Sequence, residues 1–191
     1  MENSVKKDAG REGEVRKTVK IATMAVLAAL SIVLMVLVRF PIIPAAPYLI
    51  YEPADVPILI GTFMFGPVAG IAITTVVSAI QATLLSTDGL VGFVMHMAAT
   101  GAFAVTAGLI YKRLHHRRGA AVALTAGTVA MTLVMIPVNL IIQPKFYGVP
   151  YDAVVKLIVP ALIPFNIVKA GINSAVTMFV YKTVSRTVHR I

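Results

Sequence analysis

Polar and apolar residues fall in long blocks along the chain rather than in the short period of a surface helix. After a charged opening, an apolar run covers residues 19–38. It is longer than the core of a secretory leader and no clear small-residue cleavage site follows it, so it should remain as a first membrane helix. Residues 55–65 predict a second helix, closed by the Gly66-Pro67 breaker, and residues 68–85 a third that packs beside it after a very tight turn. Helix two reaches only roughly 17 Å if it starts at Asp55, too short to cross a bilayer, so it is expected to begin inside the preceding loop. Three further helices follow at about residues 90–111, 120–142 and 154–181. The last is long, and Pro160 and Pro164 should bend it where neighbouring helices can satisfy the freed carbonyls.

The connecting segments differ in kind. Residues 40–57 are apolar yet carry Pro41, Pro44, Pro47, Pro53 and Pro57, which forbids a regular helix throughout. Two readings are open: a re-entrant cap, with a lid at about residues 40–54, over a cavity, or a hydrophobic connector lying in the interface. Thr87, Asp88 and Gly89 predict a turn, residues 112–118 a basic loop, and residues 143–152 a polar and aromatic loop. Residues 1–18 mix both charge signs with too little apolar content to fold alone and are expected as a tail, with residues 183–191 as a second. Residues 19–182 then form one membrane domain.

Composition turns these helices into a fold class. The 191 residues are 58% hydrophobic and only 13% charged, against roughly 45–50% and about 25% in soluble domains. The chain is therefore expected to be an all-α integral membrane protein, six transmembrane helices in a compact bundle. With no Cys, disulfides and thiolate metal sites are excluded. The net charge of +9 would raise nucleic-acid binding in a soluble protein; here it sorts by side, so the bilayer and not nucleic acid is the partner it implies. Placing both termini and the 112–118 loop in the cytoplasm gathers thirteen of the Lys and Arg residues there and leaves Arg39, Lys145 and Lys156 opposite. Glu52, Asp55, Asp88 and Asp152 then fall on the outer side.

Candidate chemistry is sparse. The chain has no H-E-x-x-H pair, no G-x-S-x-G elbow and no G-x-x-x-x-G-K-[ST] loop, so neither a membrane enzyme nor a transporter driven by its own ATP hydrolysis is supported. His115, His116 and His189 read as solvated polar residues. His96 lies inside helix four and is read first as a hydrogen-bonded helix contact and second as a ligand contact. Lys169 is more informative, since it sits near the middle of helix six, beyond the reach of snorkelling, where an ionisable group by default faces a cavity or a partner. Asn166 shares its helix face at i, i+3. The two offer donors and an acceptor to a flat ligand edge carrying carbonyls and an N–H; alternatively Lys169 fastens helices through Asn139, His96 or a carbonyl. Asn139 and Asn173 are weaker candidates, and Phe165, Phe93, Tyr48 and Tyr51 are candidates for stacking on a ring. In helix one, Ala25-Val-Leu-Ala-Ala29 with Ala22 nearby offers small residues at i and i+4, a face on which another membrane subunit could dock.

Taken together, the run Tyr51-Glu-Pro-Ala-Asp55-Val-Pro57-Ile-Leu-Ile-Gly61-Thr-Phe-Met-Phe65-Gly66-Pro67-Val-Ala-Gly70, the alanine pattern and Asn166-Ile-Val-Lys169 resemble the S components of energy-coupling factor (ECF) transporters, and among them the riboflavin-specific branch. The resemblance spans nearly the whole chain. It implies a six-helix subunit in a prokaryotic cell membrane that binds its vitamin near the outer surface beneath the loop joining helices one and two. It also implies partners, a transmembrane scaffold (T component) and two ABC-type ATPases, with riboflavin as transported ligand and no resident cofactor. By resemblance, Asn166 and Lys169 hold the pyrimidine edge of the isoalloxazine ring, and Leu49, Ile50 or Tyr51 of the loop touch the ligand. Thiamin-binding members use tryptophan, which is absent here. FMN stays open as a ligand, because Lys145 or Arg39 could meet its phosphate. A stand-alone facilitator is the other alternative.

Overall fold

The computed structural model describes residues 2–44, 46, 49–85 and 89–188; the expected turn at Thr87 and Asp88, Tyr48 and His189 lie outside these. Helix α1, Glu2–Leu37, runs through the segment expected to be a separate tail. Helix formers dominate there, and Glu12 and Glu14 precede Arg16 and Lys17 at i, i+4 and i, i+3, spacings that support a helix without any buried face. Beyond residue 19 the same helix becomes apolar, with Ile21, Val26, Val33 and Val36 exposed. Large exposed apolar side chains recur on other helices, among them Val68, Leu90, Val159 and Phe179. Such a surface suits lipid and not water.

The proline-rich segment folds as a cap rather than a loose connector. Strand β1, Phe40–Pro41, pairs antiparallel with β2, Ile50–Tyr51, with Phe40 opposite Tyr51 and Pro41 opposite Ile50. The two rings lie 5.3 Å apart. This small sheet is the one departure from an all-α fold among the described residues. It returns the chain to its start, and Ala46 and Leu49 between the strands are buried against Val154, Ala161, Leu162 and Phe165 of the C-terminal helices.

Helix α2, Asp55–Phe65, does not borrow residues from the preceding loop, contrary to expectation. The cap instead delivers the chain directly to the interior, and every residue from Asp55 to Phe63 is buried. Burial all round marks a helix wrapped by protein, so α2 needs no lipid-spanning length. Gly66 alone, at φ 90°, joins it to α3, Pro67–Ile80, and Pro67 opens the new helix where its missing N–H is not needed.

A π-helical turn, Gln81–Leu85, follows α3. Then come α4, Gly89–Tyr111, and α5, Arg117–Phe146, whose first turn is capped by His116 Nδ1 accepting from the Gly119 N–H at 3.0 Å. The polar loop is thus shorter than expected, residues 147–150, with Gly148 at φ 65°. The sixth predicted helix is α6, Tyr151–Leu157, a π-helical turn Ile158–Leu162 around Pro160, and α7, Ile163–Val188. Proline cannot donate to the ladder, and the wider π turn absorbs the mismatch.

Among the described residues, five helical stretches are long and apolar enough to cross a membrane, and α2 is a shorter apolar helix beside them. Because lipid tails are as apolar as Leu, close packing and polar contacts rather than water exclusion hold such helices together. Gly108 shows how close: a Cβ there would sit 2.8 Å from Thr62 Cγ2 and 2.9 Å from Pro67 Cβ. α2 fills the centre, sharing Leu59 and Phe63 with α4 and α5 on one side, and Val56, Ile58 and Ile60 with α1 and α3 on the other.

Candidate functional site

One cavity of about 410 Å³ opens between the cap and α4, α5 and α7, within the size range of small-molecule sites. Each wall follows from a local repeat. α5 contributes Met131, Met135, Asn139 and Gln143 at i+4 spacing; α4 contributes Gly92, Met95, His96 and Ala99 on one helical face; α7 contributes Phe165, Asn166 and Lys169. Leu49, Ile50 and Glu52 close it from the cap, and Gln81 reaches it from the π turn after α3. Methionine and apolar groups therefore make most of the lining, with polar groups set at chosen points.

Those polar groups are restrained. Asn139 Nδ2 donates to the Met135 carbonyl at 2.8 Å and Asn166 Nδ2 to the Leu162 carbonyl at 2.7 Å, so neither amide is free to rotate. Asn139 Oδ1 is buried with no hydrogen-bond partner. Lys169 Nζ lies 3.8 Å from Glu52 Oε1, both side chains under a tenth exposed, and Gln81 Nε2 donates to the same oxygen at 3.1 Å. The ammonium is thus matched by a carboxylate of the cap, not by Asn139 or His96.

A second polar layer lies behind the cavity. Fully buried Asp55, the first residue of α2, accepts from Thr100 Oγ1 at 2.7 Å and from Asn173 Nδ2 at 2.8 Å. His96 Nε2 approaches its Oδ1 at 3.7 Å, while His96 Nδ1 shares a 2.8 Å hydrogen bond with Ser78 Oγ. Tyr51 of the cap donates to Asn173 Oδ1 at 3.1 Å. Burial pushes the Tyr51 phenol above its ordinary pKa, and the Asp55 charge adds to that. Glu52 and Asp55, expected on the outer side of the membrane, are interior groups of the protein, each supported by donors from other elements.

The ECF transporter substrate-specific component family is matched over residues 19–181. The chain is an ECF transporter S component. It is 31% identical over 187 residues to the riboflavin transporter RibU of Staphylococcus aureus, covering 95% of this chain and 98% of that one. The riboflavin transporter FmnP of Bacillus subtilis is 29% identical over 174 residues, covering 86% and 91%. A solved S component of a bacterial ECF transporter superposes with a TM-score of 0.79 at 32% identity, covering 90% of this chain and 98% of that one. Its helices and family make this S component a multi-pass membrane protein of a transport system.

Of the residues singled out in the S component's sequence, Asn139, Asn166, Lys169, His96, Phe165, Leu49 and Ile50 line the cavity. Tyr51 lies in the layer behind it, and Phe93, half-buried, is off the α4 face that carries Gly92 and His96. Arg39 is on the lining, whereas Lys145 is exposed elsewhere. Glu52, Gln81 and Gln143 were not anticipated there. Ala22, Ala25 and Ala29 are exposed on α1, while Ala28 faces the bundle.

Proposed function

We propose that this S component binds riboflavin in the cavity beneath its cap and delivers it inward as part of an ATP-driven importer. The observation that carries the reading is the placement of Asn139, Asn166 and Lys169 on one cavity otherwise lined largely by methionine and apolar side chains. Restrained amides and an ammonium supply donors and acceptors for the carbonyl, N–H, carbonyl sequence of the pyrimidine edge, and Met131, Met135, Phe165 and Leu49 suit the flat apolar remainder. The names of the RibU and FmnP relatives agree with this choice. A scaffold subunit and two ATPases complete the transporter, since the chain carries no nucleotide-binding loop of its own. Both termini lie in the cytoplasm by the distribution of Lys and Arg.

Titration of detergent-purified protein, followed by quenching of flavin fluorescence, tests the reading. Saturable quenching at one riboflavin per chain is expected. A folded protein that leaves the fluorescence unchanged would send the assignment to another vitamin. The scaffold is expected to dock on the outward alanine face of α1, where small side chains allow close helix approach. Ala25→Leu with Ala29→Leu should lower co-purification with the scaffold by at least tenfold and leave riboflavin affinity within twofold. Loss of affinity instead would place these alanines in the packing of the bundle.

A further inference from the structure

We infer that the turn joining α4 to α5 is a docking surface for the headgroups of anionic phospholipids, held by Lys112, Arg113, Arg117 and Arg118. These four cations fall within seven consecutive residues, all of them exposed. Among the described residues no carboxylate pairs with any of the four, whereas α1 sets Glu12 and Glu14 within a turn of Arg16 and Lys17. The turn is held in one shape. The Lys112 N–H donates to the Gly108 carbonyl at 2.9 Å, the His116 N–H to the Leu114 carbonyl at 2.8 Å and the Ala120 N–H to the His116 carbonyl at 2.9 Å. The buried Tyr111 ring lies 5.4 Å from the His115 ring, and a Cβ on Gly119 would run into the Leu114 carbonyl. A fixed backbone thus presents the cations, so little is lost in ordering them on binding.

Position selects lipid over a soluble anion. Both α4 and α5 are long and apolar enough to cross a membrane, so the turn between them sits where acyl chains give way to headgroups. Exposed Leu109 precedes Lys112 by about one helical turn, exposed Val122 follows Arg118 by about one, and exposed Leu114 lies within the turn itself. An anionic head on apolar chains matches cations bordered by apolar side chains; a soluble polyanion would leave the apolar groups without a partner. Lys20 joins the same end of the bundle. Its ammonium is 5.7 Å from the centre of the Phe65 ring, beside the Gly66-Pro67 junction against which Gly108 packs. Each Lys or Arg near an anionic bilayer surface strengthens binding by about fivefold, and salt screens that attraction.

Spin-labelled phosphatidylglycerol and phosphatidylcholine, each added to the full chain in phosphatidylcholine bilayers, test the surface, the fraction immobilised at the protein being read from the spectrum. At low salt the parent should prefer phosphatidylglycerol by about threefold or more. Lys112→Gln, Arg113→Gln, Arg117→Gln and Arg118→Gln together should abolish the preference and leave the melting temperature unchanged. The smaller change, Arg113→Gln with Arg117→Gln, should give an intermediate preference and keeps the test decisive if the fourfold variant folds poorly. Arg16→Gln with Lys17→Gln, on α1, should keep the parent's preference. A parent without preference overturns the inference, and so does a preference that the turn variants retain or that the α1 pair loses equally. Suppression by millimolar inorganic phosphate at constant ionic strength would assign the cations to free phosphate. Retention of the parent on heparin without any lipid preference would assign them to a soluble polyanion, and either result overturns docking to lipid.

Discussion

Lys169→Ala should weaken riboflavin binding by at least a hundredfold, the largest effect expected of any single change in the cavity. Two losses combine. A charge-assisted hydrogen bond contributes about 1.5–3 kcal/mol, and removing the ammonium leaves Glu52 a buried carboxylate that has lost its Lys169 ion pair and keeps the Gln81 amide bond. Breaking a buried pair from one side costs about 3–5 kcal/mol, part of which appears as lost stability or as inward movement of the cap. Adding Glu52→Gln to Lys169→Ala should therefore restore thermal stability but not affinity. That split separates the two causes: recovery of both would show that Lys169 acts only by holding the cap. Fluorescence titration and a melting curve on the parent, the single variant and the pair suffice.

Lys169 was legible in the sequence because a charge in mid-span has few permitted explanations, and Asn166 followed from helical spacing. The helices were legible for the same reason, their length and apolar content. Glu52 and Asp55 were not. They sit three residues apart at the end of a proline-rich segment that reads as surface loop, and nothing local marks their partners, which lie in the π turn after α3, in α4 and in α7. Gln81 was hidden by the π turn, a change of helical phase that a regular period does not predict. Gln143 was assigned to a loop because Pro144 follows it, yet α5 continues to Phe146. The Met131, Met135, Asn139, Gln143 row was present as an i+4 spacing, but in a helix this apolar only its last two members stand out. Phe93 shows the converse error, an aromatic one position away from the face that α4 turns to the cavity.

Asp55→Ala is the second large prediction, and its effect falls on the fold before it falls on the ligand. Asp55 opens α2, where the helix dipole favours a negative charge. Its two oxygens take one hydrogen bond each from α4 and α7, through Thr100 and Asn173. Alanine leaves both donors without an acceptor in the bundle interior, at about 1–3 kcal/mol for each unsatisfied group. A loss of about 3–5 kcal/mol should follow, lowering the melting temperature by on the order of 10 °C. Asp55→Asn keeps an oxygen for one donor but sets an amide N–H2 against the other, so it should fall between alanine and the parent. Because Asn173 also bonds Tyr51 and approaches the Glu52 carbonyl at 3.5 Å, release of Asn173 loosens the cap, and riboflavin affinity should drop in the same order as stability. Thr100→Val tests the wiring: combined with Asp55→Ala it should cost less than the sum of the two alone, since the hydroxyl has already lost its partner. Strict additivity, or an Asp55→Ala protein melting within 2 °C of the parent, would mean that apolar packing around α2 and not this polar centre fixes the helix beneath the cavity.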